Sequence, residues 1–151
     1  MLAISVGRKA GVYKDTAHNI LDTGEYVIHI ADTPLMRAVH ESAVEHPADV
    51  SEVEHLGLET APSELIKVPR LTAPPVAMEC RFRQCLEFGE AKSRLIVGEV
   101  VMLHIRDGLV NDGKVDSAPS TVRILVEPKI IVDPNPPTPP SFCQQIGRAH
   151  V

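Results

Sequence analysis

The chain has 151 residues, enough for one domain, and 44% of them are apolar, enough for a hydrophobic core. Aromatics make up 3% and tryptophan is absent, so that core is aliphatic. A net charge of −5 with no long basic run excludes nucleic acid as the main partner, since neutralising phosphates needs clustered Lys and Arg; no apolar run nears the roughly eighteen residues of a membrane span and no leader-like segment opens the chain, so a cytoplasmic protein is expected.

Leu2 to Ser5 reads as a short buried strand. Gly7 and Gly11 bracket Arg8 and Lys9, where the backbone can turn and approach a ligand closely. Asp15 or Thr16 caps a helix that runs to about Thr23, and Gly24 ends it. The first N–H groups of such a helix lack internal partners and favour a bound anion. Arg8 and Lys14 add positive charge at the same place. Arg8 can grip two phosphate oxygens at once, whereas Lys14 acts as a point charge. The arrangement suits a phosphate. It also recurs as plain structure in many α/β proteins, and Asp15 repels phosphate unless capping occupies it.

Glu25 to Ile30 is the next strand, with Tyr26, Ile28 and Ile30 alternating against Val27 and His29. Asp32 or Thr33 caps a second helix with Pro34 in its first turn and Leu35, Met36, Val39 and Ala43 as its core face. Asp49 or Ser51 starts a short helix to about Leu56, and Leu65 to Val68 is a brief extended piece. His40, His46 and His55 lie among Glu41, Glu45, Glu52 and Glu54. Their spacing fits no common ligand pattern and Pro47 interrupts the stretch, so solvated helices rather than a metal site are expected.

Val76 to Arg83 is the clearest strand, with Val76, Met78, Cys80 and Phe82 on one face and Ala77, Glu79, Arg81 and Arg83 on the other. Gly89 to Lys92 turns the chain into Arg94 to Ile105, which is apolar on both faces and reads as a central strand. The two strands should pair as an antiparallel hairpin, and Gly98 marks a bulge or a close approach. Cys80 and Cys85, five apart, face opposite ways on a regular strand. With Cys143 they form no C-x-x-C pair, so free thiols of an intracellular protein are expected. Asn111-Asp112-Gly113 is a turn. Val122 to Val126 and Lys129 to Val132 read as short strands. Five prolines between Asp133 and Pro140 rule out helix and central strand there.

The ordered series Ile4-Ser5-Val6-Gly7-Arg8-Lys9, Lys14-Asp15-Thr16-Ala17-His18-Asn19-Ile20, Thr23-Gly24-Glu25-Tyr26-Val27-Ile28, Leu56-Gly57-Leu58, Pro74-Pro75-Val76-Ala77-Met78-Glu79-Cys80, Leu95-Ile96-Val97-Gly98-Glu99-Val100-Val101, His104-Ile105-Arg106-Asp107 and Gly113-Lys114-Val115-Asp116 resembles the flavin reductase-like family. The similarity covers about Met1 to Asp116. It implies an α+β fold that is mainly β with short helices, an antiparallel Greek-key split β-barrel. It implies FMN as cofactor and NAD(P)H as co-substrate, with hydride transfer to flavin for a partner oxygenase or other electron acceptor, in a homodimer. A flavin-holding electron carrier without reductase activity of its own would use the same motifs.

By the resemblance, the segment Ser5, Val6, Gly7, Arg8 and the turn Lys14 to Thr16 lie against the FMN phosphate and ribityl chain. Asp15 serves there as a cap or orienting group. His104 lies on the flavin or nicotinamide side, or is an ordinary strand histidine. No catalytic acid, base or nucleophile is implied, because the flavin carries the chemistry. In the resembling family two or more strands precede the position of Met1, so the barrel is expected to be incomplete and Met1 to be internal to a longer parent, with flavin held more weakly than in that parent; an inactive fragment that folds poorly and holds no flavin is the alternative. Residues 1–132 are expected as the partial barrel domain and 133–151 as a Pro-rich tail, disordered or artefactual. Within it, Ile146 to Val151 reads like the translation of a sequencing adapter, pointing to assembled environmental DNA.

Overall fold

The computed structural model describes residues 1–9, 11–44, 50–115 and 129–131. The expected strand at Val122 to Val126, the Pro-rich tail, Cys143, His46 and Asp49 lie outside the described residues. Among the described residues no helix is long and apolar enough to cross a membrane.

The frame is one antiparallel five-stranded sheet. β1 (Leu2–Val6) is followed by a ribbon of β2 (Arg8–Lys9) and β3 (Val12–Tyr13), then by α1 (Asp15–Thr23) and β4 (Glu25–Ile30). A 3-10 turn over Thr33–Leu35 leads into α2 (Met36–Glu41), and α3 (Glu52–His55) follows. β5 (Thr60–Ala61) and β6 (Arg70–Leu71) form a second ribbon. The long pair β7 (Val76–Phe88) and β8 (Ser93–Ile105) comes next, then a small hairpin of β9 (Val110–Asn111) and β10 (Lys114–Val115), and finally β11 (Lys129–Ile131). The sheet order is β1-β8-β7-β4-β11, curled into half a barrel with few short helices. The expected mainly β architecture and the long hairpin are therefore present.

Local sequence accounts for the turns. Gly24 ends α1 in the left-handed region at φ 69° and donates its N–H to the Ile20 carbonyl at 2.9 Å. Asp112 and Gly113 both have positive φ, 49° and 72°, as a tight two-residue hairpin demands. Ser51 caps α3 by accepting the Glu54 N–H.

The sheet is buried on both faces at its centre. On one side Tyr26, Ile28, Cys80 and Ile96 pack with Val6 and with Ala17 and Ile20 of α1. On the other, Val27 and Ala77 are covered by Ile66 and Val68. Residues 62–68 thus form a strap across the outer face. Residues 64–68 are bends rather than the extended piece expected at Leu65 to Val68. The strap is tied down by polar contacts. Glu79 accepts the backbone N–H groups of Glu64 and Leu65, both at 2.8 Å, Glu25 accepts that of Lys67 at 2.8 Å, and Arg81 donates to the Leu65 carbonyl at 2.7 Å.

Three expectations are corrected. Cys80 and Cys85 do not face opposite ways: both pack against the same core cluster. The register jumps from Phe82 opposite Gly98 to Gln84 opposite Val97, so Arg83 is bulged and the alternation flips. Met36 is exposed rather than in the core of α2; Leu35, Ala38, Val39 and Ser42 form the inward face and line a small apolar pocket. Asp32 precedes the 3-10 turn without capping it, because its carboxylate takes the Arg106 guanidinium at 3.0 Å.

Gly98 is a close approach. A Cβ there would fall 1.9 Å from the Tyr26 hydroxyl, inside a fully buried ring. That hydroxyl is itself buried with no hydrogen-bond partner among the described residues, and burial raises its pKa. Gly98→Ala is therefore expected to cost about 2–3 kcal/mol in urea unfolding by overpacking. Tyr26→Phe, which removes an orphaned polar atom, should be neutral or stabilising and should recover part of the Gly98→Ala loss in the double variant. A Gly98→Ala protein as stable as the parent would contradict this packing.

Candidate functional site

The corner where β1, the β2–β3 ribbon and α1 meet collects most of the residues singled out from the sequence. Ser5 lies opposite Leu95 on β8, on the exposed face of β1, while Val6 is buried in the core opposite Arg94. A Cβ on Gly7 would meet no protein atom within 4 Å, so the space beside it is open. Arg8 pairs across the ribbon with Tyr13, and Gly11 makes the intervening turn at φ +80°. Lys14 follows Tyr13 directly, so it is the next residue along the chain from the one that pairs with Arg8.

The side chains are organised by Tyr13. The Arg8 guanidinium lies 4.0 Å and that of Arg94 3.5 Å from the Tyr13 ring centroid. Both guanidinium groups thus lie within cation–π range of one ring. Arg8 also donates to the Tyr13 hydroxyl, which donates to Glu87 at the end of β7. Arg8 and Glu87 form a loose ion pair at 3.9 Å. The Tyr13 hydroxyl, together with Arg8, Arg94 and Lys92, holds the exposed Glu87 carboxyl below its usual range despite a small opposing effect of burial. β2 and β3 thus form a clamped ribbon docked on the tip of the long hairpin, and Arg8 already has internal partners.

The start of α1 differs from expectation. Neither Asp15 nor Thr16 caps it. Lys14 is the N-cap residue, extended at φ −63° and ψ 148°, and no side chain accepts from the first turn. Tyr13 is held against the hairpin tip, so the chain passes from ribbon to helix at Lys14, a residue without an acceptor. The Lys14 carbonyl accepts the Ala17 N–H at 2.9 Å. The N–H groups of Asp15 and Thr16 point out of the helix end. Lys14 and Asp15 are exposed, and the Lys14 ammonium pairs with no described residue. An uncapped helix end, a lone ammonium and open space at Gly7 fit a phosphate group.

His104 is not part of this corner. It lies nine residues along β8 from Leu95, about 30 Å at strand rise, opposite Ala77. Its Nε2 contacts the Glu79 carboxylate at 2.6 Å. Burial alone pushes the Glu79 carboxyl up. The Glu64 N–H, the His104 ring and the Leu65 N–H outweigh it and hold it below its usual range. The Cys80 thiol is buried and pushed up to about 12, chiefly by desolvation, so it is no nucleophile.

Sequence reasoning missed Tyr13, Glu87 and Arg94 as organising residues, and Glu79 as a buried anchor. Their partners are supplied by the third dimension: Tyr13 and Glu87 are 74 residues apart. A carboxylate inside an otherwise apolar strand was the one available signal for Glu79.

The profile of the Flavin reductase like domain matches residues 1–119. An uncharacterized protein of Halalkalibacterium halodurans is 37% identical over 122 residues, covering 78% of this chain and 58% of that protein. The crystal structure of nitrilotriacetate monooxygenase component B from Bacillus cereus superposes with a TM-score of 0.71 at 35% identity, over 75% of this chain and 58% of that one. A putative flavin reductase with split barrel domain from Shewanella frigidimarina shares the fold, with a TM-score of 0.68 at 20% identity over 76% of this chain and 56% of that one. The chain spans somewhat more than half the length of these relatives.

Because the folded-state Glu79 carboxyl lies below its unfolded value, its contribution to stability is present above about pH 4.3 and lost as pH falls through the folded value. Glu79→Gln should lose about 2–3 kcal/mol at pH 7 in chemical unfolding, and its stability should fall less steeply than the parent's between pH 5 and 3 (roughly the carboxylate window). Parallel acid profiles for the two proteins would show that Glu79 is not the group concerned.

Proposed function

The chain belongs to the flavin reductase-like domain family, and from that premise we propose that it binds flavin mononucleotide by its phosphate at the β1–α1 corner and works there with NAD(P)H as hydride donor. The observation that carries the reading is the uncapped start of α1 beside a Lys14 ammonium that pairs with no described residue.

Each residue has a physical part. The N–H groups of Asp15 and Thr16 hydrogen-bond phosphate oxygens, and Lys14 balances their charge. Ser5, on the exposed face of β1, offers a hydroxyl along the approach, and Gly7 leaves room for the nucleotide chain. Arg8 keeps the ribbon in place through Tyr13 and adds positive potential, with Arg94 behind it. Asp15 orients the first turn. Val6 supports the strand from the core side. When bound, flavin would supply the redox chemistry as hydride acceptor from NAD(P)H, and the protein would need no acid or base of its own for that transfer. The protein, as a homodimer, would deliver the reduced cofactor to a partner oxygenase or another electron acceptor.

Titration followed by flavin fluorescence tests the site. Lys14→Gln should weaken FMN binding about tenfold, ~1.4 kcal/mol, and Arg8→Gln by a similar factor. Unchanged affinity in both variants would remove the corner from the account. Mixing FMN-loaded protein with NADH and with NADPH, followed by absorbance, tests the activity. Prompt bleaching of the flavin is expected. Flavin that binds but stays oxidised would identify an electron carrier instead.

A further inference from the structure

We propose that the open end of the β7–β8 hairpin holds a second binding site, one for a small apolar monocarboxylic acid, anchored by Arg70 with His104 in its wall. The site does not rest on the flavin reading.

A cavity of about 390 Å³ lies there, among β6, the segment before β7 and the last residues of β8. Its size falls in the range of small-molecule sites. It is separated from the β1–α1 corner by most of the length of β8.

The charges around it are matched except for two. Arg106 is held by Asp32 at 3.0 Å and by the Ala73 carbonyl at 2.5 Å. Glu79 is satisfied by two backbone N–H groups and the His104 ring. Arg70 is half-buried in the wall, and its guanidinium has neither a hydrogen bond nor an ion pair with any described residue; its Nε is shut off from water without a partner. A half-buried cation without a counter-charge is unfavourable, and a carboxylate matches its planar fork with two parallel hydrogen bonds. Glu64 is the other unmatched charge. It is exposed on the rim, where solvent screens it, and it repels a doubly charged ligand more strongly than a singly charged one.

His104 supplies the second polar contact. Its Nε2 is fixed on Glu79, which leaves Nδ1 as the ring nitrogen with no partner among the described residues. Such a nitrogen can accept a hydrogen bond from a protonated acid or, when itself protonated, donate one to the carboxylate. Met102 and the half-exposed Leu103 provide apolar surface for the body of the ligand. One fork, one adjustable imidazole and a hydrocarbon patch within a lining that is otherwise polar select a small, singly charged acid with a short hydrocarbon portion.

Benzoate is the probe. It is titrated into the full chain, and the His104 ring resonances are followed by NMR at neutral pH. A saturable shift with a dissociation constant of about a millimolar is expected, at least tenfold weaker in Arg70→Gln and weaker for inorganic phosphate than for benzoate. If Arg70→Gln does not fold, Arg70→Lys replaces it; the lysine keeps the charge but not the fork, and at least a threefold loss is expected. A shift that never saturates, or one equally strong without Arg70, overturns the proposal. FMN affinity measured on the same samples should not change with benzoate. Displacement of FMN by benzoate would place both ligands in one site and also overturn the proposal, whereas failure to bind FMN at all bears on the flavin reading alone.

Discussion

The buried Glu79 carboxylate is the contact on which the rest of the structure depends. It sits with no exposure in the long strand β7, and an ionised carboxylate there is tolerable only if its oxygens are fully engaged. The engagement comes from the backbone of the strap at Glu64 and Leu65 and from His104 on the neighbouring strand. One charge thereby binds three parts of the chain. The strap in turn places Ile66 and Val68 over Val27 and Ala77, which buries the outer face of the sheet. With α1 on the inner face, β4, β7 and β8 become a rigid platform. β1 is laid along that platform, and the cationic corner hangs on its end.

At that far end the organising element is an aromatic ring. Tyr13 holds the Arg8 and Arg94 guanidiniums at its ring and reaches Glu87 through its hydroxyl. The guanidinium charges are thus gathered without being cancelled: two arginines and Lys92 surround a single carboxylate, and Lys14 stands outside the clamp. A positive corner beside an uncapped helix end costs little while it is solvated. It becomes favourable when a phosphate enters. The two ends of β8 therefore carry different electrostatics. One is an anion-ready corner, and the other is a mixed cluster built around Glu79 and His104.

Much of the fold was legible because its signals are local. Gly24 after an apolar helical face, Asp112-Gly113 between short strands and the strictly alternating Val76 to Phe82 each state their own conformation. Gly98 was legible too, as a strand glycine with a neighbour close by, although nothing in the sequence named Tyr26 as that neighbour. The failures are nonlocal. The bulge at Arg83 that puts Cys85 on the Cys80 face arises from pairing with β8. The two-residue ribbon of β5 and β6 is too short to carry a pattern. Asp32 and Met36 followed helix rules until tertiary partners intervened: Arg106 drew the carboxylate away, and Ala38 and Ser42 took the inward face. For the candidate site, the ordered motifs pointed to this corner, where the ribbon register sets Arg8 opposite Tyr13, the residue before Lys14. Their division of labour was not legible, because Tyr13 and Glu87 claim Arg8 from 5 and 79 residues away.

The central claim is that this corner holds a nucleotide phosphate. The most direct measurement compares the dissociation constants of FMN and riboflavin for the chain, which differ only by that group, at low and at high salt. FMN should bind at least about tenfold more tightly at low salt, with the gap narrowing as salt screens the cations. Riboflavin bound as tightly as FMN would contradict the account.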